Sequence, residues 1–122
     1  MWADLVSAAR TSDYQSPRLS QHATGQTLTL FVQGLAPDQL HGIVTRGTPA
    51  LHPGVTSLSP QRDPSRATVV DCFDDTRWLE YQTSGQLAKN APGGRRATTA
   101  QLIRTSDTWK VDQLTIAKTG TC

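Results

Sequence analysis

Apolar side chains recur at helical spacing at the start of the chain. Trp2, Leu5, Val6 and Ala9 occupy positions i, i+3, i+4 and i+7, which makes one face of a helix apolar. Arg10, near the end of this segment, suits the negative end of a helix dipole. The pattern therefore predicts a short amphipathic helix whose apolar face packs on the rest of the protein.

Two further helices are predicted in the first third of the chain. Ser16-Pro17 is typical of an N-cap followed by the first helical position, and it predicts one or two helical turns ending at His22. Thr24 can cap a third helix, because apolar residues return at helical spacing between Leu28 and Leu35. Pro37 interrupts helical hydrogen bonding, so we expect this helix to end close to it.

From Ile43 onward the pattern changes to short β-branched runs separated by Gly and Pro, which is typical of strands joined by turns. The predicted strands cover residues 43–46, 50–52, 55–58, 67–73, 76–82, 95–105 and 109–118. Turns are expected at 61–65 and 83–85, with a wider one at 90–94. The last two strands form a predicted hairpin around Ser106-Asp107-Thr108.

The last predicted strand contains an irregularity. Trp109 and Val111 share one face, whereas Leu114 and Ile116 have the opposite parity. One extra residue near Asp112-Gln113 would return all four side chains to the same face. Because such bulges bend strands, we predict an α+β fold in which three N-terminal helices pack on a strongly curved antiparallel sheet.

Length and composition narrow the class of protein. The 122 residues suffice for a single domain, residues 1–122, and the 36% hydrophobic content with abundant Thr, Ser and Gln favours a β-rich structure with a polar surface. No apolar run reaches the roughly 18 residues that a membrane span requires. The net charge is only +2 and the basic residues are scattered, with Arg95-Arg96 the one adjacent pair, which argues against a nucleic-acid partner.

The chain has two cysteines, Cys72 in a central strand-like run and Cys122 at the last position. Two free thiols would be ordinary in a cytosolic protein. The even number, the terminal position of one cysteine and the absence of Met beyond Met1 favour a disulfide and an oxidising compartment. Such a bridge would contribute about 4 kcal/mol on the chain-entropy model.

Export would ordinarily require a signal peptide, and none is visible at the start of the chain. Met1-Trp2-Ala3 leads directly into the first helix, with no charged segment and no long apolar core before it. The protein is therefore either not secreted or a mature fragment whose leader was left out. The cysteine argument favours the second interpretation.

Asp71, Asp74 and Asp75 form the densest acidic group in the sequence. They could supply a general base or the oxygen ligands of a cation. However, Asp74 has the opposite strand parity to the other two, and the spacing lacks the Gly and the distal Glu of a calcium loop. We therefore favour a structural role in which Asp74 and Asp75 cap a turn and pair with Arg77 or Arg95.

The three histidines, His22, His41 and His52, are far apart in the sequence and match no metal-binding spacing, so no metal and no cofactor are predicted. His22 lies near Tyr14 and could act as a base, although a surface or helix-packing role is favoured. Pro92-Gly93-Gly94-Arg95-Arg96 could form an anion-binding nest. The same segment needs no ligand if it is simply the entry to a hairpin with solvated arginines.

Several segments together resemble a known family. The segments are Asp71-Cys72-Phe73-Asp74-Asp75-Thr76 with a Trp shortly after it, Pro92-Gly93-Gly94-Arg95-Arg96, Thr108-Trp109-Lys110-Val111 and Gly120-Thr121-Cys122. They are similar to small secreted or lipid-anchored actinobacterial proteins of the nuclear transport factor 2-like (NTF2-like, cystatin-like) superfamily. The resemblance covers Trp2 to Cys122. It implies a cone-shaped domain, a truncated first helix, a removed leader and stalk, and a Cys72–Cys122 disulfide.

The resemblance supplies no catalytic motif. Ketosteroid isomerases and polyketide cyclases of the wider superfamily place Asp, His or Tyr inside the cone, but no such set matches this sequence residue by residue. A cone open at one end exposes its lining to ligands. The lining that we predict comprises Tyr14, His22, Asp71, Trp78 and Tyr81.

We therefore expect a non-catalytic extracytoplasmic domain that binds an unknown protein or a small apolar ligand, with no catalytic residues assigned. The alternative is a cone-pocket enzyme of the isomerase or cyclase type that uses an Asp or His base. A homodimer through the sheet is a third expectation, and contact with a membrane is expected only through an N-terminal anchor absent from this sequence.

Overall fold

The structure is a computed structural model that describes residues 1–88 and 92–122. Helices come first and strands follow, so the predicted α+β class is confirmed. The helices are α1 (Trp2–Ala9), α2 (Leu19–His22) and α3 (Gly25–His41). The strands are β1 (Ile43–Gly47), β2 (Gly54–Ser59), β3 (Arg66–Asp74), β4 (Trp78–Gln82), β5 (Arg95–Thr105) and β6 (Thr108–Ile116). The predicted wide turn at 90–94 falls partly on residues 90 and 91, which lie outside the described residues.

The strands form two antiparallel sheets. The larger has the order β2-β3-β5-β6, and the smaller pairs β1 with β4. The predicted strand at 50–52 is wrong, because this segment makes only an isolated bridge between Ala50 and Asp74. The predicted strand at 76–82 begins two residues later, at Trp78, because Asp74 accepts a hydrogen bond from the Thr76 N–H and so stabilises a turn there.

The helices cover one face of the large sheet. Buried residues of all three helices form the core together with side chains of β5 and β6. The core residues are Leu5, Ala8, Ala9, Leu19, Ala23, Phe31, Leu35, Ala100, Val111 and Leu114. The apolar spacing of α1 and α3 therefore has the role that the sequence predicted.

Helix α3 is longer than predicted, because it continues through Pro37 to His41. The proline removes one backbone donor, but Gln33, whose carbonyl would have accepted that bond, is exposed to water. The helix ends instead at Gly42, which has a left-handed conformation with φ 67° and donates its N–H to the carbonyls of Asp38 and Gln39. The expected end at Pro37 was wrong because this C-cap comes later.

The bulge predicted in the last strand is confirmed. Gln101 pairs with Gln113 and Leu102 pairs with Val111, which leaves Asp112 as the extra residue of β6. Val111 and Leu114 are both buried as a result.

A disulfide joins Cys72 of β3 to Cys122, with a Cα–Cα distance of 5.8 Å. Cys122 lies beyond β6, in a terminal segment that runs beside β5. There the N–H of Ala117 donates to the carbonyl of Ala97, and the N–H of Gly120 donates to the carbonyl of Arg95. The bridge therefore fixes this segment to the large sheet. In the described part of the chain, no helix is both long and apolar enough to cross a membrane.

Candidate functional site

A cleft of about 400 Å³ lies between helices α1 and α3 on one side and the small sheet on the other. This volume is within the range of about 300–1,000 Å³ that is usual for ligand pockets. The lining residues are Leu5, Ala9, Leu30, Phe31, Gly34, Leu35, Asp38, Thr45, Asp75, Trp78 and Glu80.

Aromatic packing supports the apolar part of the cleft. Trp2 stacks on Phe73 with the ring centroids 4.6 Å apart, and Trp78 meets the same ring edge-on at 6.0 Å. Phe31, a lining residue of α3, lies 6.2 Å from Trp2. Interlocked rings of this kind resist rearrangement, so Trp78 and Phe31 present a fixed apolar surface to the cleft.

Three carboxylates, Asp38, Asp75 and Glu80, line the same cleft, and no basic side chain lines it among the residues that the structure describes. Asp75 accepts hydrogen bonds from the N–H of Gly94 at 2.8 Å and from Nε of Arg96 at 3.1 Å. Asp38 and Glu80 also take part in interactions within the protein. The described part of the lining is therefore acidic in composition, with Arg96 balancing the charge of Asp75.

The indole N–H of Trp78 is buried and has no hydrogen-bond partner in the described part of the chain. An unsatisfied buried donor costs about 1–3 kcal/mol. A water molecule or a ligand acceptor that reached this group would recover part of that cost.

The structure does not bring the five predicted lining residues together. Trp78 lines the cleft, whereas Tyr14 packs against the hydrophobic core. Tyr81 lies on β4 opposite Val44 of β1 and is not part of the cleft lining.

The two predicted candidates for a base also lie outside the cleft lining. His22 ends α2, and its Nδ1 lies 2.7 Å from Oδ2 of Asp4. Asp71 lies on β3, where its carboxylate accepts a hydrogen bond from the backbone N–H of His52 at 2.7 Å. Both groups therefore take part in contacts that hold the fold together.

The predicted turn-capping role is confirmed for Asp74, but the carboxylate of Asp75 instead accepts bonds from Gly94 and Arg96, and the predicted ion pairs are not confirmed. Hydrogen bonds from Thr76 hold the pKa of Asp74 below its usual value. The ion pair of Asp75 is with Arg96 rather than with Arg77 or Arg95. Residues 75 and 96 come together because β3 pairs with β5 in antiparallel register, with Phe73 opposite Arg96.

A buried carboxylate that the sequence analysis did not identify lies at the junction of α1 and α2. Asp4 is only 6% exposed, and its oxygens contact the guanidinium of Arg18 at 3.2 Å and the ring of His22 at 2.7 Å. Burial opposes ionisation, but these contacts and the nearby positive charges outweigh it and lower the pKa of Asp4 below its usual value. Asp4 is in the first turn of α1, where acidic residues are common, so its residue type gives no signal of burial.

Replacement of Asp4 by Asn is expected to lower the free energy of unfolding by about 1–2 kcal/mol at pH 7, because a charge-assisted contact with two half-exposed partners is lost. Since folding lowers the pKa of Asp4, its contribution is complete above the unfolded-state pKa and is lost as the pH falls through the folded-state value. Urea denaturation of both proteins at pH 7, 4 and 2.5 should therefore show a difference that shrinks in acid. A difference that stays constant across this range would contradict the assignment.

No group of three or more His, Cys, Asp or Glu side chains in the described part of the chain is arranged to hold a metal ion. His41 contacts the carbonyl of Pro37 through Nδ1 at 2.8 Å, at the end of α3.

Comparison with known proteins shows a shared fold and no family. No family model matches this sequence, and no curated protein does so. A solved structure, the intermembrane space region of chloroplast protein ARC6, matches with a TM-score of 0.69. The match covers 97% of this chain and 89% of that chain at 17% sequence identity. At this identity the likeness shows the fold alone.

Proposed function

We propose that this protein is a non-catalytic binding domain whose cleft receives an apolar side chain of a partner protein, flanked by neutral or basic residues. The observation that carries the proposal is the lining of the cleft, which combines a rigid apolar surface with three acidic side chains among the described residues. Apolar anchors placed in preformed pockets account for much of the affinity in protein recognition. The acidic residues would favour basic neighbours of that anchor and disfavour acidic ones.

The placement of the titratable groups supports binding over catalysis. A cone-pocket isomerase or cyclase needs a carboxylate or imidazole that faces the substrate and is free to accept its proton. His22 and Asp71 are absent from the cleft lining. Asp75 lines the cleft, but its two oxygens are engaged by Gly94 and Arg96.

We further propose that the domain is an exported member of the NTF2-like superfamily. The helices-then-sheet order, the bulge in β6 and the Cys72–Cys122 disulfide support this assignment. Disulfides persist in oxidising compartments and are rare in the cytosol. The matched ARC6 region likewise comes from an intermembrane space, which is compatible with a domain that works outside the cytosol.

Variants at Gly34 can test the proposed use of the cleft. Gly34 lines the cleft within α3, and a Cβ added there would meet no atom within 4 Å. Replacement by Leu should place a large side chain in the cleft, whereas replacement by Ala should leave it open. The Ala variant should also raise the free energy of unfolding by about 0.5–1 kcal/mol, because Gly is unfavourable in a helix interior.

Two capped peptides serve as ligands, one with a leucine between pairs of lysines and one with a leucine between pairs of glutamates. In ¹⁵N NMR titrations at millimolar concentration, we expect the lysine peptide to shift the amide signals of Thr45 and Trp78. It should bind more tightly than the glutamate peptide, because the acidic side chains of the lining attract lysines and repel glutamates. The Ala variant should bind like the wild type and the Leu variant should not bind. The proposal would be contradicted if the Ala and Leu variants of Gly34 bound the lysine peptide equally. It would also be contradicted if this peptide caused no shift of the Thr45 and Trp78 amide signals in the wild type.

A further inference from the structure

Strand β2 is a bare edge of the large sheet. It pairs only with β3, and all six of its residues are exposed. The other edge strand, β6, is covered by α2 and α3 and forms a bridge to Ala23. In the small sheet, β1 packs against α1 and α3, and β4 is flanked by the segment containing Leu87. Among the described strands, β2 therefore offers the least protected row of backbone donors and acceptors.

The composition of β2 does little to prevent pairing with another strand. Natural edge strands usually carry charged residues or an internal proline, which block association. Gly54–Ser59 contains neither, and Pro53 and Pro60 lie just outside it. One protective feature is present, a bulge between Val55 and Ser57. It limits the length of regular pairing and so limits the strength of any association.

The bulge also places two large apolar side chains on one face of β2. Val55 pairs with Val69 and Leu58 pairs with Ala67, two residues of β3 that point to the same side. Val55 is 61% exposed and Leu58 is 48% exposed. They border a shallow hollow of about 460 Å³ that is also lined by Thr56, Ser57 and Gln61.

We propose that β2 pairs antiparallel with β2 of a second copy of this chain. A two-fold axis between Thr56 and Ser57 would set Val55 opposite Leu58 of the second copy, and Leu58 opposite Val55. The same register places Pro53 opposite Pro60 at each end, outside the paired segment. Because the strand is uncharged, this arrangement brings no like charges together.

The chemistry of the edge favours a second copy over a charged peptide from another protein. An uncharged strand with two apolar residues on one face is complementary to itself, and it offers no ion-pair partner to a charged segment. A six-residue pairing buries less than the roughly 1,200 Å² typical of stable interfaces. The dimer is therefore weak and transient.

Sedimentation velocity from 10 µM to 1 mM tests this pairing on the full chain. In the variant V55K/L58K, lysines of the two copies face each other, so dimerisation should weaken at least about tenfold. In V55K/L58E, the new lysine of each copy would face the new glutamate of the other copy, so the dissociation constant should return to within about threefold of the wild type. Leu40→Lys, at an 82% exposed position on α3, is the control and should dimerise like the wild type.

Each outcome bears on the pairing. Circular dichroism spectra that match the wild type establish that the variants fold. A wild-type protein that is monomeric at 1 mM overturns the proposal, as does a V55K/L58K variant that dimerises normally. A V55K/L58E variant as weak as V55K/L58K excludes the proposed register. The peptide titrations at the cleft are separate from these results, so that either proposal can fail while the other stands.

Discussion

Replacing Cys72 and Cys122 together with serine is expected to lower the free energy of unfolding by about 4 kcal/mol. The disulfide closes a loop with a sequence separation of 50 residues, and the estimate is the chain entropy that this loop removes from the unfolded state. A typical domain has only about 5–15 kcal/mol of stability in total. The double variant should therefore be close to unfolding at 37 °C.

The folded state should also change locally in this variant. The segment after β6 is attached to β5 by backbone hydrogen bonds at Ala117 and Gly120 and by a bond from the N–H of Ala97 to the hydroxyl of Thr121. Without the bridge, these hydrogen bonds become the main attachment of an exposed segment. The amide groups that donate them should therefore exchange hydrogen with the solvent faster than the amide groups in the core of β5.

Two measurements check the disulfide prediction. Intact mass after alkylation should show two added groups only when the protein has first been reduced. Urea denaturation should give nearly the same midpoint for the reduced wild type and the double serine variant, well below that of the oxidised wild type. Alkylation without reduction would contradict the bridge, and equal midpoints for oxidised and reduced protein would contradict its proposed contribution.

The features that the sequence predicted correctly are those that depend on near neighbours. The bulge at Asp112 follows from the parity of four apolar residues within one strand, and it could be inferred without knowledge of the partner strand. The short helix α1 follows from four apolar residues at helical spacing. In both cases one segment of sequence contains the whole pattern.

The cleft could not be predicted in this way, because its walls come from segments far apart in the chain. Asp38 lies in the last turn of α3, which continues past the end that was expected close to Pro37. Asp75 and Trp78 became part of the same site as Phe31 only through the pairing of β1 with β4 beneath the helices. Only Trp78 was included in the predicted lining, and it was chosen as a large aromatic residue rather than from any knowledge of its neighbours.

Asp4 illustrates the same limit for electrostatics. Its partners Arg18 and His22 are 14 and 18 residues away and lie on or beside a helix of only four residues. A buried ion pair of this kind leaves no local signal, because each residue alone is an ordinary surface type. His22 was identified as a candidate base, but its position beside a buried carboxylate gives it a structural role.

Phe73→Ala is expected to destabilise the protein by about 4 kcal/mol. Phe73 is 3% exposed and lies between Trp2 and Trp78, so its truncation leaves a cavity that two rigid indole rings cannot readily fill. Phe73→Leu keeps most of the volume and should cost only about 1 kcal/mol.

Urea denaturation followed by circular dichroism measures both costs, and the lysine peptide described above tests the link to the cleft. Because Phe73 supports Trp78 from behind, the Ala variant should bind this peptide more weakly even where it remains folded, whereas the Leu variant should bind it nearly as well as the wild type. Equal destabilisation by Ala and Leu would show that the cavity is not the main cost. If a folded Phe73→Ala variant bound the lysine peptide as well as the wild type does, the aromatic packing would not be what fixes the surface of the cleft.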